Sequence, residues 1–339
     1  MLISVTVNNW SEYSMKKLKV ASFFAGVGGI DLGFEETGMF ETVYANEIDP
    51  YPVKTFELNF PIKVDNRDIY EVSTDDVPDV DVLVGGFPCQ AFSIAGLRQG
   101  FEDEKGRGEL FFQLMRMLET KRPRVALFEN VKNLVGHDNG NTFRVICEQL
   151  ELHGYHYTYQ VLNAMNYGNM AQNRERIYIV AFRDEADFIK FHWPLSIPLT
   201  KTVKDIIDFD SEIDDKYYYT EGKYKGDIYE KLEEAMKDDD STHPAIYQWR
   251  RKYVRQNKSG VVPTLTANQG EGGHNVCLVK TKHGIRKMTP RECFNTQGFP
   301  ISFKLPEKVS DCRLYKQAGN SVCVPVIRRI AEAIAVALD

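Results

Sequence analysis

Apolar and polar positions follow two rhythms along the first two thirds of the chain. Short apolar runs at residues 20–24, 42–45, 80–84, 125–128 and 177–182 read as buried strands, most of them stopping at Gly, Asn or acidic residues. Between them, apolar residues recur at helical spacing: Leu110, Phe111, Leu114 and Leu118, then Phe143, Ile146 and Leu150. Tyr155, Tyr157, Tyr159 and Val161 alternate as one further strand. This alternation predicts an α/β domain built on a parallel sheet with crossover helices, the first helix starting near Gly29. The rhythm fails after Trp193. Residues 201–241 are rich in Asp, Tyr and Lys with weak periodicity, and residues 261–279, with Pro263, Gly270, Gly272 and Gly273, read as short strands and long loops. A second, smaller domain over residues 193–284 is therefore expected. Val326, Ile327, Ile330, Ile334 and Leu338 then mark an amphipathic helix that can pack back onto the first domain.

Composition narrows the class. At 339 residues the chain is longer than one minimal core needs, and 43% hydrophobic with 27% charged residues is ordinary for a globular protein. No apolar run approaches the roughly 18 residues of a membrane helix. The opening MLISVTV lacks the basic start of a signal peptide, so the cytoplasm is expected. Cys89, Cys147, Cys277, Cys293, Cys312 and Cys323 form no CxxC pair and adjoin no His-rich segment, which argues against a disulfide framework and for no metal site. A net charge of −6 runs against a nucleic-acid binder, because phosphate contacts need Lys and Arg. Locally the balance reverses: QWRRKYVRQNK, residues 248–258, carries Arg250, Arg251, Lys252, Arg255 and Lys258 with Trp249 and Tyr253 interleaved and no acid. Taken alone, that run fits a phosphate-holding patch or a solvated helix face.

Candidate chemistry gathers where strands end. FAGVGG after the first strand suits a nucleotide loop, in which absent side chains let the backbone approach a ligand at a helix N-terminus; a bare strand-to-helix turn has the same look. Glu47 follows Gly26 by 21 residues, near the spacing at which a Rossmann acid binds ribose hydroxyls. Asp68 in NRDIY could accept from an adenine amino group or be a plain surface acid. GGFPCQ, residues 85–90, puts Cys89 behind Gly85, Gly86 and Pro88 at the carboxyl edge of the sheet, where a thiolate can be exposed and stabilised; most cysteines are instead small buried hydrophobes. Glu129 ends another strand and faces the same cleft if the sheet is parallel. QNRER offers Arg174 and Arg176 two residues apart, suited to a carboxylate, a phosphate or a base carbonyl, or to salt bridges.

Together, FAGVGG, GGFPCQ, ENV, QNRER, RKMTPREC with QGFP, and GNSV occur in the order found in DNA cytosine-5 methyltransferases, and the resemblance spans residues 19–334. PCQAFSIAG followed by GFEDEKGRGELFF, HDNGNT and NAMNYG looks especially like the compact bacterial restriction-modification methylases. Ala171 stands where that family commonly has Pro, and Asn66 and Arg67 precede Asp68 where a Gly is frequent; neither change touches a reacting group.

The resemblance implies a Rossmann-like, S-adenosylmethionine-dependent methyltransferase core, mainly parallel, with a smaller irregular, strand-rich target-recognition domain. Residues 1–192 with 312–339 would form the catalytic and cofactor-binding domain, 193–284 the recognition domain and 285–311 a hinge. S-adenosyl-L-methionine would be held by Phe24, Ala25, Gly26, Gly28, Gly29 and Ile30, by Glu47, Ile48, Asp68 and Ile69, and by Pro88, Leu110, Asn320, Ser321 and Val322. Cys89 would be the nucleophile, with Glu129, Arg174 and Arg176 holding and polarising a cytosine. The loop 92–108 would close over DNA.

DNA would be met by Gln90, Ser93 and Arg98, by Arg250, Arg251, Lys252 and Arg255 mostly on phosphates, and by Thr264, Thr266, Asn268 and Gln269 on base edges. Double-stranded DNA is the expected partner, with a cognate restriction endonuclease acting independently, a monomeric state and no membrane. Three other readings share some of these residues. A transfer-RNA methylase uses the same chemistry but has a distinctive substrate domain, an inactive DNA-binding module leaves an intact catalytic set without purpose, and an NAD dehydrogenase leaves GGFPCQ unexplained.

Overall fold

The computed structural model describes residues 16–87, 110–224, 226–239, 244–250, 252–270 and 277–339. Strands β1 (Leu18–Phe23), β2 (Phe40–Asn46), β3 (Val82–Gly85), β4 (Val125–Val131), β5 (His156–Asn163) and β7 (Glu175–Phe182) make a six-stranded sheet in the order β2-β1-β3-β4-β7-β5. β1 pairs in parallel with β2 and β3, and β3 with β4, so the carboxyl ends of these four strands share one edge. The sheet is mainly parallel, as expected, and its one antiparallel strand is β7, which runs against both β4 and β5. A parallel return needs a crossover of a dozen or more residues, usually helical. The connection from Asn163 to Glu175 holds only a four-residue helix and the two-residue β6 (Gln172–Asn173), so the chain turns back instead.

Apolar side chains fill both faces of this sheet. On one face, α1 (Gly29–Glu35) and α2 (Pro50–Asn59) pack with the C-terminal helix Val324–Leu338; on the other lie α3 (Leu110–Lys121) and α4 (Asn141–Leu152). The terminal helix packs as its spacing requires, with Val326, Ile327, Ile330, Ile334 and Leu338 all buried. It comes so close to α1 that a Cβ on Gly33 would lie 2.6 Å from Ile327.

Beyond the sheet, α5 (Ile228–Ala235) covers a second, antiparallel sheet in the order β12-β11-β8-β9, made of β8 (Ile246–Arg250), β9 (Tyr253–Asn257), β11 (Cys277–Thr281) and β12 (Gly284–Lys287). This sheet reaches Lys287, three residues past position 284. The basic run 248–258 is thus two paired strands, and the helix-face alternative falls. A short parallel pairing of β10 (Val262–Pro263) with β6 sets Val262 opposite Gln172 and Pro263 opposite Asn173, tying the region after β9 to the QNRER segment. Helices α6 (Pro290–Thr296), α7 (Asp311–Asn320) and α8 (Val324–Leu338) complete the chain. Arg286 on β12, fully buried, donates to both carboxylate oxygens of Glu292 on α6, and Glu292 also closes a capping box with Thr289. That buried pair joins the end of the second sheet to the helix leading back to the first.

Candidate active site

β1 ends at Phe23, and the chain leaves it through a turn that side chains normally avoid: Phe24 has φ 53°, Gly26 57° and Gly28 84°. The three glycines of this turn serve different ends. A Cβ on Gly26 would meet nothing within 4 Å, and this residue opens onto a cavity of about 370 Å³. A Cβ on Gly28 would strike the Phe60 ring at 2.3 Å, so its missing side chain makes room for the core. One on Gly29 would lie 2.5 Å from the Ser321 hydroxyl, which makes that glycine the seat for the loop after α7.

The cavity lies at the shared carboxyl edge, where ligands of open α/β sheets bind. Glu47, just past β2, holds the glycine turn from across the sheet: one carboxylate oxygen accepts from the Gly26 N–H at 2.9 Å and the other from the Asp49 N–H at 2.8 Å. Burial raises its pKa, partly offset by those two hydrogen bonds. Asp49 caps α2 by accepting from the Tyr51 N–H, and Lys316 of α7 lies 3.2 Å from its carboxylate. Arg313 of α7 stacks over Tyr51 with its guanidinium carbon 4.4 Å from the ring centre.

On the other side of the cavity, β3 leads into Gly86 and Phe87, and the Asn130 side-chain amide donates to the Phe87 carbonyl at 2.9 Å. That bond fixes the backbone two residues before Cys89. Glu129, next to Asn130 and 8% exposed, pairs with Arg176, Nε to Oε1 at 3.0 Å. Burial raises the Glu129 pKa, and the charges of Arg176 and Arg174 only partly oppose the shift.

Arg174 has a different task. It is 2% exposed, and its Nη1 donates to the Leu265 carbonyl while Nη2 donates to those of Gly319 and Ser321. Burial pushes its pKa down to about 10, so it stays charged at neutral pH. Three polar atoms of residues lining the cavity have no hydrogen-bond partner among the described residues: Arg174 Nε, Gln317 Nε2 and Ser321 Oγ. Buried polar groups are nearly always satisfied, so these mark where a polar ligand belongs.

The structure brings Phe24, Ala25, Gly26, Gly29, Ile30, Glu47, Glu129, Arg174, Arg176, Asn320, Ser321 and Val322 to this one cavity. It does not bring Gly28, Ile48, Asp68, Ile69 or Leu110 to its lining. Ile48 is 58% exposed, Asp68 accepts from the Tyr70 N–H, and Ile69 and Leu110 pack in the core under the sheet. Pro88, Cys89, Gln90, Ser93 and Arg98, with the rest of the loop 92–108, lie outside the described residues, as do Arg251 and residues 271–276. Sequence reasoning missed Asp49, Tyr51, Asn130, Arg313, Lys316 and Gln317. The last three recur with Asn320 at helical spacing and share one face of α7, a signal that was available.

A second cleft, about 500 Å³ and open, is lined by Asn173, Gln248, Arg250, Arg255, Gln256, Asn257, Pro263, Thr264 and Thr266. Thr264 donates to the Asn173 carbonyl and Thr266 to Asn268, which is exposed. Two expected DNA contacts lie elsewhere. Gln269 is buried, with its amide reaching the Tyr315 carbonyl, and Lys252 lines another groove with Asp227, Glu230 and Glu234.

A glycine turn and an acid at the ends of the first two strands, with a buried Glu–Arg pair across the same cavity, define a Rossmann-like methyltransferase architecture. The C-5 cytosine-specific DNA methylase model matches residues 18–336, and the chain belongs to that family. It is 61% identical over 317 residues to the type II methyltransferase M.Bsp6I of Bacillus sp. (strain RFL6), covering 94% of this chain and 98% of that one. Identity to the type II methyltransferase M.DsaV of Dactylococcopsis salina is 38% over 325 residues, covering 96% and 88%. Among solved structures, an Entamoeba histolytica methyltransferase matches with TM-score 0.72 and 18% identity over 96% of this chain and 99% of that one. That last likeness speaks for the fold.

Proposed function

We infer that this enzyme methylates carbon 5 of a cytosine flipped out of a specific short duplex DNA sequence, as the modification partner in a restriction-modification system. The observation that carries the reading is the buried Glu129–Arg176 pair opening onto the same cavity as the Gly26 turn and the Asn320–Val322 loop. The donor is S-adenosyl-L-methionine, and the residues present fit it. Gly26 leaves room beside Glu47, Gln317 and Ser321 hold unpaired polar atoms, and 370 Å³ lies within the range of small-ligand sites. When bound, the donor supplies an electrophilic methyl group. Glu47 would hold its ribose hydroxyls, and Asn320, Ser321 and Val322, which line the same cavity, would hold another part of it.

Carbon 5 of cytosine is too weak a nucleophile until the ring loses aromaticity. The Cys89 thiolate adds to carbon 6 while protonated Glu129 donates to ring N3, and the resulting enamine makes carbon 5 nucleophilic. After carbon 5 is methylated, a base removes its proton, the bond from sulfur to carbon 6 breaks, and N3 returns its proton. Arg176 orients the Glu129 carboxyl and offers its remaining N–H groups to the base carbonyl. Arg174 fixes the walls of the pocket. The target base must leave the stack to reach these groups, at a cost of about a few kcal/mol.

Residues 1–192 with 312–339 are assigned as the catalytic domain, 193–284 as the recognition domain and 285–311 as the hinge. The enzyme is read as a cytoplasmic monomer working beside an independent endonuclease. Among the described residues no helix is long and apolar enough to cross a membrane. Bisulfite sequencing of plasmid DNA from cells expressing the chain, with labelled transfer RNA as a control substrate in vitro, tests the reading. Methylated cytosines in one recurring duplex sequence are expected, and methyl transfer to RNA alone would overturn it.

A further inference from the structure

The register of β8 and β9 sets Gln248 opposite Arg255, Arg250 opposite Tyr253 and Ile246 opposite Asn257. Directly paired residues share a face, so Gln248, Arg250, Arg255 and Asn257 lie on one side of the ribbon and Tyr247, Trp249 and Val254 on the other. Ile246 and Tyr253 share the first side and Gln256 the second, whose apolar residues pack with Leu232 and Met236 in a small core. The polar side borders the open cleft shared with Asn173 and Thr264, and none of the lining residues of that cleft is acidic. Asn173 immediately precedes Arg174, so the cleft adjoins the cavity where the base is to be methylated.

Arg255 is set up differently from a residue that only holds phosphate. It is exposed, yet one terminal nitrogen donates to the side-chain carbonyl of Gln248, which is 3% exposed and therefore anchored. Among the described residues this is the only hydrogen bond its side chain donates. One end of the guanidinium is pinned, and the residue lines the cleft. A guanidinium held at one end keeps its fork in a fixed direction, which bidentate contact with a base edge requires.

We propose that Arg255, held by Gln248, reads a guanine of the target sequence in the major groove. This rests on the DNA methylase reading above and adds to it which residue selects a base. The major groove, about 12 Å wide, admits a two-stranded ribbon of this kind. A guanidinium offers only donors. In the major groove, guanine alone presents two neighbouring acceptors, N7 and O6, while adenine pairs an acceptor with a donor.

The test uses the full-length enzyme, Arg255→Lys, Arg255→Gln and Gln248→Leu on a duplex library randomised around the methylated cytosine. Total methyl incorporation, the base preference at each position and the salt dependence of binding are measured. Arg255→Gln is expected to lose discrimination for guanine at a single position by about 5- to 150-fold and Arg255→Lys by less, with other positions and the salt slope unchanged. Gln248→Leu is expected to weaken preference at that same position. A uniform loss on all sequences with a salt slope smaller by about one would make Arg255 a phosphate contact and overturn the proposal. Unchanged guanine preference in a folded Arg255→Gln variant, whose side chain suits adenine, would overturn it too. Failure of the unmodified enzyme to methylate the library would sink the underlying reading instead.

Discussion

Arg176 Nε lies 3.0 Å from Glu129 Oε1, both side chains almost out of solvent, so the two groups pull the Glu129 proton equilibrium in opposite directions. Burial favours the neutral acid, and the guanidinium favours the carboxylate. Burial wins, and the carboxyl is poised above its usual range, as a group that must donate a proton near neutral pH requires. Glu129→Gln keeps the shape and removes the exchangeable acid. Turnover is expected to fall by about 10²- to 10⁴-fold with DNA affinity retained, measured by labelled methyl transfer and by gel shift. Unchanged turnover would place N3 protonation elsewhere.

The same pair gives a pH signature. In the mechanism proposed above methyl transfer needs protonated Glu129, so the rate is present below its folded pKa and is lost as pH rises through it. Removing Arg176 takes away a charge that lowers this pKa. In Arg176→Met, the residual single-turnover rate should therefore persist to higher pH than in the unmodified enzyme. A high-pH limb that stays put or moves down would mean another group is titrating.

Cys89 is testable without knowing its side-chain geometry. Cys89→Ser should abolish turnover while S-adenosylhomocysteine binding, followed by calorimetry, stays near that of the unmodified enzyme, because the thiolate acts on the base and not on the donor. A duplex carrying 5-fluorocytosine, whose fluorine cannot leave as a proton does, should become covalently attached at residue 89 and fail to do so in the variant. Attachment at any other residue would remove Cys89 from the mechanism.

Much of this was legible in the chain because the signals were local. The apolar runs that became β1 to β4, the glycine turn and the acids at strand ends depend on each strand's own residues and on the few that come directly after them. Two features depended on longer-range facts. The sense of β7 is decided by the length of the connection before it, not by its apolar residues, so a mainly parallel sheet was legible but not which strand departs from it. Arg174 and Arg176, two residues apart, were expected on one side of an extended chain. Both do line one cavity, but Arg174 falls between β6 and β7 and turns its guanidinium to the carbonyls of Leu265, Gly319 and Ser321. No spacing within QNRER points to partners 91 to 147 residues away.

That placement changes what an Arg174 variant should do. Its guanidinium satisfies three buried carbonyls, and Arg174→Met leaves all three unpaired. A loss of at least about 3 kcal/mol in unfolding free energy is expected, with a lower melting temperature and weaker S-adenosylhomocysteine binding through the displaced Ser321 loop. A residue that only touched the cytosine would lose turnover at unchanged melting temperature, and that outcome would return Arg174 to direct substrate contact.

Asp31, on α1, gives the stability prediction with the clearest sign. It is completely buried, accepting from the Ser22 hydroxyl at 3.0 Å and the Thr42 hydroxyl at 3.2 Å, with no cation among the causes of its shift. Burial raises its pKa from 3.8 to about 7. Below about pH 4 the folded and unfolded chains both hold the proton, and Asp31 contributes no pH dependence. Between about 4 and 7 the folded chain keeps a proton that the unfolded chain has released, so stability falls as pH rises, by up to about 1.4 kcal/mol per unit. Above 7 the penalty is complete and constant. Asp31→Asn cannot ionise, yet offers an acceptor to one hydroxyl and a donor to the other. Groups titrating elsewhere act alike in both proteins and cancel in the comparison. The difference in urea unfolding free energy should therefore move in the variant's favour from pH 4 to 7 and then level off. Parallel curves across that window would show that Asp31 stays ionised in the fold.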